Sequence, residues 1–151
     1  MIKCIKGDLL DSKCEYICHQ VNCQGRMGSG IAKQIRERWP EVFTNYQTYI
    51  SMCFGNPLGS ICTVLVNDGS LRVINMFAQF SYGYDGKRYT SYDAFYNCLN
   101  AITREIPKHK SIAFPYNISC GLGGGNWNII SAMIKEVLGR EYDVYIYKLE
   151  E

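Results

Sequence analysis

No window of the 151-residue chain approaches the roughly 20 uninterrupted apolar positions that a membrane-crossing helix requires. The opening residues MIKCIKGDLL turn acidic within a few positions and lack the charged, apolar and small-residue zones of a secretory leader. These absences predict a soluble, cytoplasmic protein with no membrane partner. A run of lysine or arginine is also missing and the formal net charge is only +2, so there is no concentrated basic stripe for tracking a phosphate backbone. Nucleic acid is therefore not an expected partner. Tight C-x-x-C pairs are absent too, which argues against a thiolate metal centre among the eight cysteines. In a chain long enough to bury a real core they read as reduced, small apolar residues. The densest cluster is Cys14, Cys18, His19 and Cys23, but on a strand Cys18 and His19 point to opposite faces, and no metal site is expected. No Gly-Lys-Ser/Thr follows either glycine-rich segment, which excludes a P-loop, and GRMGSG has the wrong spacing and position for a dinucleotide fingerprint.

What is present is an alternation of strands and helices. IKCIKG and YICHQVN read as strands, and GSGIAKQIRERW as a helix entered from glycines, with Ile31, Ile35 and Trp39 on one face. Pro40 opens a second helix, PEVFTNYQTYISMC, because proline suits a first helical turn. SICTVLVN and LRVINMFAQ, joined by DGS, form an antiparallel pair. TSYDAFYNCLNAITREI is a helix capped at Thr90 or Ser91 and stopped by Pro107. The strand SIAFPYN, the helix NWNIISAMIKEVLG and the strand DVYIYKLE complete the chain. This order predicts a single α/β domain over residues 1–151, a mixed sheet with helices on both faces.

Two glycine-rich segments, NCQGRMGSG and SCGLGGGNW, each lie between a strand and the following helix, where open α/β sheets bind ligands. Glycine lets the backbone approach a ligand, and the first helical turn adds unpaired amides and partial positive charge. Two such cradles suit a diphosphate. The alternative is that the glycines only make tight turns and allow helix-to-sheet packing.

Three long segments, KGDLLDSKCEYICHQVNCQGRMGSGIAKQIRERWPEVFTNYQTYI, INMFAQFSYGYDGKRYTSYDAF and IAFPYNISCGLGGGNWNIISAMIKEVL, resemble the macrodomain family, in the branch of ADP-ribose-1''-phosphate phosphatases and terminal ADP-ribose protein glycohydrolases. The resemblance covers essentially the whole chain. It implies a three-layer α/β/α fold with a mixed, roughly six-stranded sheet, and a crevice for ADP-ribose or for an ADP-ribosylated small molecule or protein, with no cofactor. Asp8 matches the family acid that accepts from the adenine amino group, with the Leu9 backbone alongside; by itself it also reads as a capping aspartate. Asn22 and Cys23 match positions near the distal ribose. Met27, Gly28, Ser29, Gly30 and Ile31 match the first phosphate-facing loop, and Ser119, Cys120, Gly121, Leu122, Gly123 and Gly124 the second. Gln79 and Phe80 border the distal ribose, and Tyr147 matches an aromatic against adenine, although a buried strand tyrosine fits it as well.

The same resemblance separates binding from turnover. The lysine and aspartate of the glycohydrolase branch fall here at Gln79 or Phe80 and at Gly123, so a lysine-adduct mechanism does not carry over. Asn126 stands in GGNW where relatives carry aspartate, and an amide is no general base. The remaining catalytic candidates are Asn22 and Asn126 as positioners of water, and His19, although a histidine inside an apolar strand is more often a hydrogen-bonded core residue. The expected function is ADP-ribose binding, with hydrolysis of ADP-ribose 1''-phosphate or an ADP-ribosyl ester, or, alternatively, non-catalytic reading of ADP-ribosylated partners.

Overall fold

A computed structural model describes residues 1–149 of the chain. Six strands, β1 (Ile2–Lys6), β2 (Tyr16–Val21), β3 (Ile61–Val66), β4 (Leu71–Phe77), β5 (Ser111–Pro115) and β6 (Asp143–Lys148), form one sheet in the order β1-β6-β5-β2-β4-β3. Every neighbouring pair is parallel except β3 and β4, whose antiparallel register runs from Ile61 opposite Met76 to Val66 opposite Leu71. The four helices are α1 (Gly30–Arg38), α2 (Pro40–Met52), α3 (Tyr92–Glu105) and α4 (Trp127–Leu138). The last strand expected from the sequence reached Glu150, which lies outside the described residues.

The period-two pleat sends alternate strand residues into two cores. One face carries Cys18, Ile74, Met76, Ile112 and Phe114 and packs on α3 and α4 through Phe95, Leu99, Ile102, Ile130 and Ile134. The other carries Ile17, Val21, Val73, Phe77 and Ala113 and packs on α1 and α2 through Ile35, Val42 and Tyr46. The result is the expected three-layer α/β/α arrangement.

Local chemistry explains the boundaries. Pro40 biases the residue before it away from the helical region, and Trp39 adopts φ −132° and ψ 83°, which splits α1 from α2. Of the two candidate caps for α3 it is Ser91 that serves, its Oγ accepting from the Ala94 amide at 3.1 Å. The hairpin turn Asn67–Gly69 holds three residues at positive φ. No helix among the described residues is long and apolar enough to cross a membrane.

Candidate functional site

β2 and β5 are parallel neighbours, and each runs out into one of the glycine-rich loops. The first loop leads into α1 and the second into α4, so the two stand side by side above the carboxyl ends of the strands. A crevice follows them in three connecting chambers. One end chamber, about 470 Å³, is walled by Asp8, Leu9, Tyr147 and Lys148 among others. The middle chamber, about 220 Å³, lies between Ser29–Ala32 and Ser119–Gly123. The far chamber, about 320 Å³, has Asn22, Arg26, Met27, Gln79, Tyr82 and Tyr84 in its walls. Ile31 and Tyr116 are shared by the first two chambers, Gln20, Ser29 and Leu122 by the last two, which makes the crevice continuous.

Its polarity changes along its length. Among the described residues, no Lys, Arg, Asp or Glu lines the middle chamber. What lines it is the start of α1, the glycines of the second loop and neutral polar side chains such as Gln20, Gln79 and Asn117. Ser29 is the N-cap of that helix but makes no capping bond; its Oγ pairs with the Tyr84 hydroxyl at 2.6 Å, linking the first loop to the loop after β4. The first-turn amides thus have no side-chain cap, the situation that favours an anion at a helix N-terminus. Gly30 sits there at φ 57°, with open space where a Cβ would stand. In the Asp8 chamber, one carboxylate oxygen accepts from the Leu10 amide at 3.0 Å, so Asp8 caps a short 3-10 turn and also lines the chamber wall. Tyr147 and Tyr145 share a face of β6, and the Tyr147 ring lies 3.7 Å from where a Cβ on Gly7 would be.

Asn22 shapes the far chamber. Its Nδ2 donates to the Arg26 carbonyl at 2.9 Å, its Oδ1 accepts from the Gln24 amide at 3.0 Å, and the buried Tyr46 hydroxyl donates to both its oxygens at 2.7 and 2.8 Å. The side chain is committed to folding the first loop. Cys23 is buried beneath the wall, and burial pushes its thiol up to about 11, away from a nucleophilic thiolate. Phe80 contributes only its carbonyl, which accepts from the Cys23 amide at 3.0 Å, while its ring is exposed outside the chambers.

The second loop divides its glycines by role. Gly121 lines the middle chamber and a Cβ there would meet nothing within 4 Å. A Cβ on Gly123 would lie 2.6 Å from Thr90 Oγ1 and 2.9 Å from the Ser119 carbonyl, and one on Gly124 would lie 2.9 Å from the backbone of Lys87 and Arg88. These two are packing glycines, although Gly123 also reaches the middle chamber. Cys120 turns back to the Ile118 carbonyl, 3.2 Å away, outside the chamber walls. Asn117 and Ser119 hold left-handed φ values of 62° and 71°, the kind of local strain that rigid surroundings must impose.

Two catalytic candidates are engaged in structural hydrogen bonds. Asn126 is the N-cap of α4: its Oδ1 accepts from the Asn128 amide at 2.8 Å, and it is not among the residues walling the chambers. His19 underlies the middle chamber but is only 1% exposed, with Nε2 2.5 Å from Asn75 Oδ1. Desolvation lowers its pKa to about 4, leaving a neutral imidazole in the core. Among the described residues no three His, Cys, Asp or Glu side chains gather as a metal site.

Sequence reasoning missed several wall residues. Tyr116 and Asn117 directly follow β5, where a carboxyl-end position is itself the signal. Tyr82, Tyr84 and Arg26 reach the crevice from loops and Lys148 from the last position of β6, in placements that no periodicity reveals.

Known proteins share this architecture. A Macro domain family model matches residues 18–134. The chain is 28% identical over 157 residues to an uncharacterised 17.5 kDa protein of Enterobacteria phage T4, covering 99% of this chain and 93% of that protein. It is 27% identical over 158 residues to a DNA ADP-ribosyl transferase-DNA ADP-ribosyl glycohydrolase fusion protein of Thermosipho africanus, covering 95% of this chain but 40% of the fusion. The structure of that organism's DarTG in complex with ADP-ribose superposes with a TM-score of 0.80 at 20% identity, over 97% of this chain and 41% of that one. The macrodomain of Mycobacterium tuberculosis DarG superposes with a TM-score of 0.77 at 26% identity over 97% of both chains. With the family model matching well over half of its residues and the six-stranded α/β/α architecture in agreement, this chain belongs to the macrodomain family.

Proposed function

We propose that the chain binds ADP-ribose along the three-chamber crevice and recognises partners that carry it. The observation that supports this is the crevice's polarity: a carboxylate and an aromatic ring at one end, a middle without ionised described residues at a helix N-terminus, and a polar far chamber. Adenine lies against Tyr147 in the Asp8 chamber, its amino group donating to the carboxylate. The diphosphate lies between Gly28–Ile31 and Ser119–Gly123, where amides satisfy its oxygens without an arginine. The distal ribose enters the far chamber beside Asn22 and Gln79. The ADP-ribose complex of the Thermosipho relative supports this ligand.

A second reading is hydrolysis at the distal ribose, of ADP-ribose 1''-phosphate, an ADP-ribosyl ester or an ADP-ribosylated nucleic acid. The glycohydrolase designation of the Thermosipho fusion favours it. The side chains favour the reader, since His19 is neutral and buried, Asn126 is a cap and the Cys23 thiol is held protonated. Turnover would have to work by placing a water at the anomeric carbon.

Calorimetric titration with ADP-ribose, AMP and ATP tests the shared premise. ADP-ribose is expected to bind best, and equal affinities would remove the reading. Incubation with ADP-ribose 1''-phosphate, glutamate-linked ADP-ribosylated protein and ADP-ribosylated DNA, followed for free ADP-ribose, separates the two readings. Release from none of them is the reader's outcome.

A further inference from the structure

Three side chains from distant parts of the chain close a hydrogen-bonded ring beside the crevice. Gln20 Nε2 donates to Thr90 Oγ1 at 2.8 Å, the Thr90 hydroxyl donates to the Ser119 carbonyl at 2.9 Å, and the Ser119 hydroxyl donates back to Gln20 Oε1. Every donor in the cycle has an acceptor, so the direction of each bond fixes the next. The second Gln20 N–H donates to Gln79 Oε1 at 2.7 Å, and Gln79 Nε2 in turn to the Ser81 carbonyl at 2.8 Å, which extends the cycle into the loop after β4. The Gly123 carbonyl accepts from the amides of Tyr89 and Thr90 at 2.8 and 2.9 Å, and the Gly125 amide donates to the Ser119 carbonyl at 2.7 Å. Gly123 leaves no room for a Cβ because the ring members stand against it.

Thr90 is the member that joins the rest. It is 2% exposed and is not among the residues walling any of the three chambers, whereas Gln20 and Ser119 both line the middle one. We propose that Thr90 is a positioning residue: through the ring it fixes the Ser119–Gly123 backbone against the end of β2, and so sets the width of the crevice over the second phosphate and distal ribose. Ser119 supplies the reason a brace is needed, because its left-handed φ of 71° is disfavoured for a non-glycine residue and persists only where the surroundings enforce it. Without the Thr90 hydroxyl the loop relaxes, and the amide wall loses register with the ligand. The Asp8 chamber is untouched, since no ring member lines it.

This inference rests on the ADP-ribose reading, and its test keeps the two apart by measuring two ligands. Affinities for ADP-ribose and AMP are determined by calorimetry for the parent chain, Thr90→Val and Thr90→Ser. Thr90→Val is expected to weaken ADP-ribose about tenfold, the scale of one buried hydrogen bond, while AMP changes by less than about twofold. Thr90→Ser, which keeps the hydroxyl, restores the parent ratio. A general loss of stability would weaken both ligands together, so an unchanged ratio in Thr90→Val overturns the positioning role. If Thr90→Val does not fold, Thr90→Cys, of similar volume but a weak hydrogen-bonding group, is read by the same ratio. A parent chain that binds no ADP-ribose overturns the ligand reading first, and the inference with it.

Discussion

His19 adjoins Gln20 in sequence, yet the pleat sends the two side chains to opposite faces of the sheet. Gln20 reaches the crevice network and His19 goes into the core beside Asn75, where the low dielectric disfavours its charged form. Because the folded pKa of about 4 lies below the ordinary 6.5, the unfolded chain binds the proton first as pH falls. The stability contributed by neutral His19 is therefore fully present above pH 6.5 and is lost as pH drops toward 4. Between pH 7 and pH 4.5 the parent chain is expected to lose on the order of 2 kcal/mol more than His19→Gln in urea unfolding. Equal pH dependence in the two proteins would show that His19 is solvated and able to act on a ligand. Asn126 yields a prediction of the opposite kind. Asparagine and aspartate cap helices about equally, so Asn126→Asp should change stability by less than about 0.5 kcal/mol, while Asn126→Ala costs about 1 kcal/mol in thermal unfolding. Asn126→Asp is also expected to release no more ADP-ribose from any of the three substrates than the parent; a clear gain would place this side chain in the chemistry.

At the scale of elements, the second loop shows what its glycines are for. From sequence alone the run GLGGG fits both a phosphate cradle and a packing turn, and the structure contains both. Gly121 faces the open chamber, while Gly123 and Gly124 are pressed against Thr90 and against the 87–88 backbone. That partition was not legible in the sequence, because it depends on a contact between residues 90 and 123 that only the fold creates. Gly121→Ala and Gly123→Ala should therefore separate. Gly121→Ala is expected to keep its thermal stability within about 0.5 kcal/mol, as a surface change does, but to weaken ADP-ribose by placing a methyl in the chamber. Gly123→Ala must displace Thr90 or Ser119 and is expected to lose about 1–3 kcal/mol, the range for overpacking a close contact. Thermal unfolding with and without ADP-ribose reads both effects, and matching losses in the two variants would contradict the division. The same crowding means that any Cβ at position 123 requires the Thr90 side chain to move.

For the molecule as a whole, what was legible followed from local pattern. Strand alternation and the four helical stretches gave the three layers, and the two glycine-rich loops fall at the ends of β2 and β5, which are neighbours in the sheet. The segment after β4 was legible as a loop, but its path was not, since Tyr82, Tyr84 and the Gln79–Thr90 bridge owe their places to tertiary contacts rather than to periodicity. The distribution of charge is also a property of the fold. A net charge of +2 says little about a site, but among the described residues the fold leaves the middle of the crevice with no ionised wall residue and places single cations at its ends, Lys148 in one chamber and Arg26 in the other. A diphosphate held by amide dipoles in a narrow cleft is screened far less than one held by exposed ammonium or guanidinium groups. ADP-ribose affinity is thus expected to fall by less than about threefold between 50 and 200 mM salt, whereas a surface that neutralised 6–10 phosphates would lose about 10³ to 10⁵. Titrations at the two salt concentrations with ADP-ribose, and with an ADP-ribosylated DNA strand in parallel, carry the comparison. A weak salt response for both ligands means that the DNA adds nothing beyond the ADP-ribose it displays. A steep response confined to the DNA would reveal a backbone-tracking surface outside the crevice and overturn the expectation, drawn from the missing basic run, that nucleic acid is no partner.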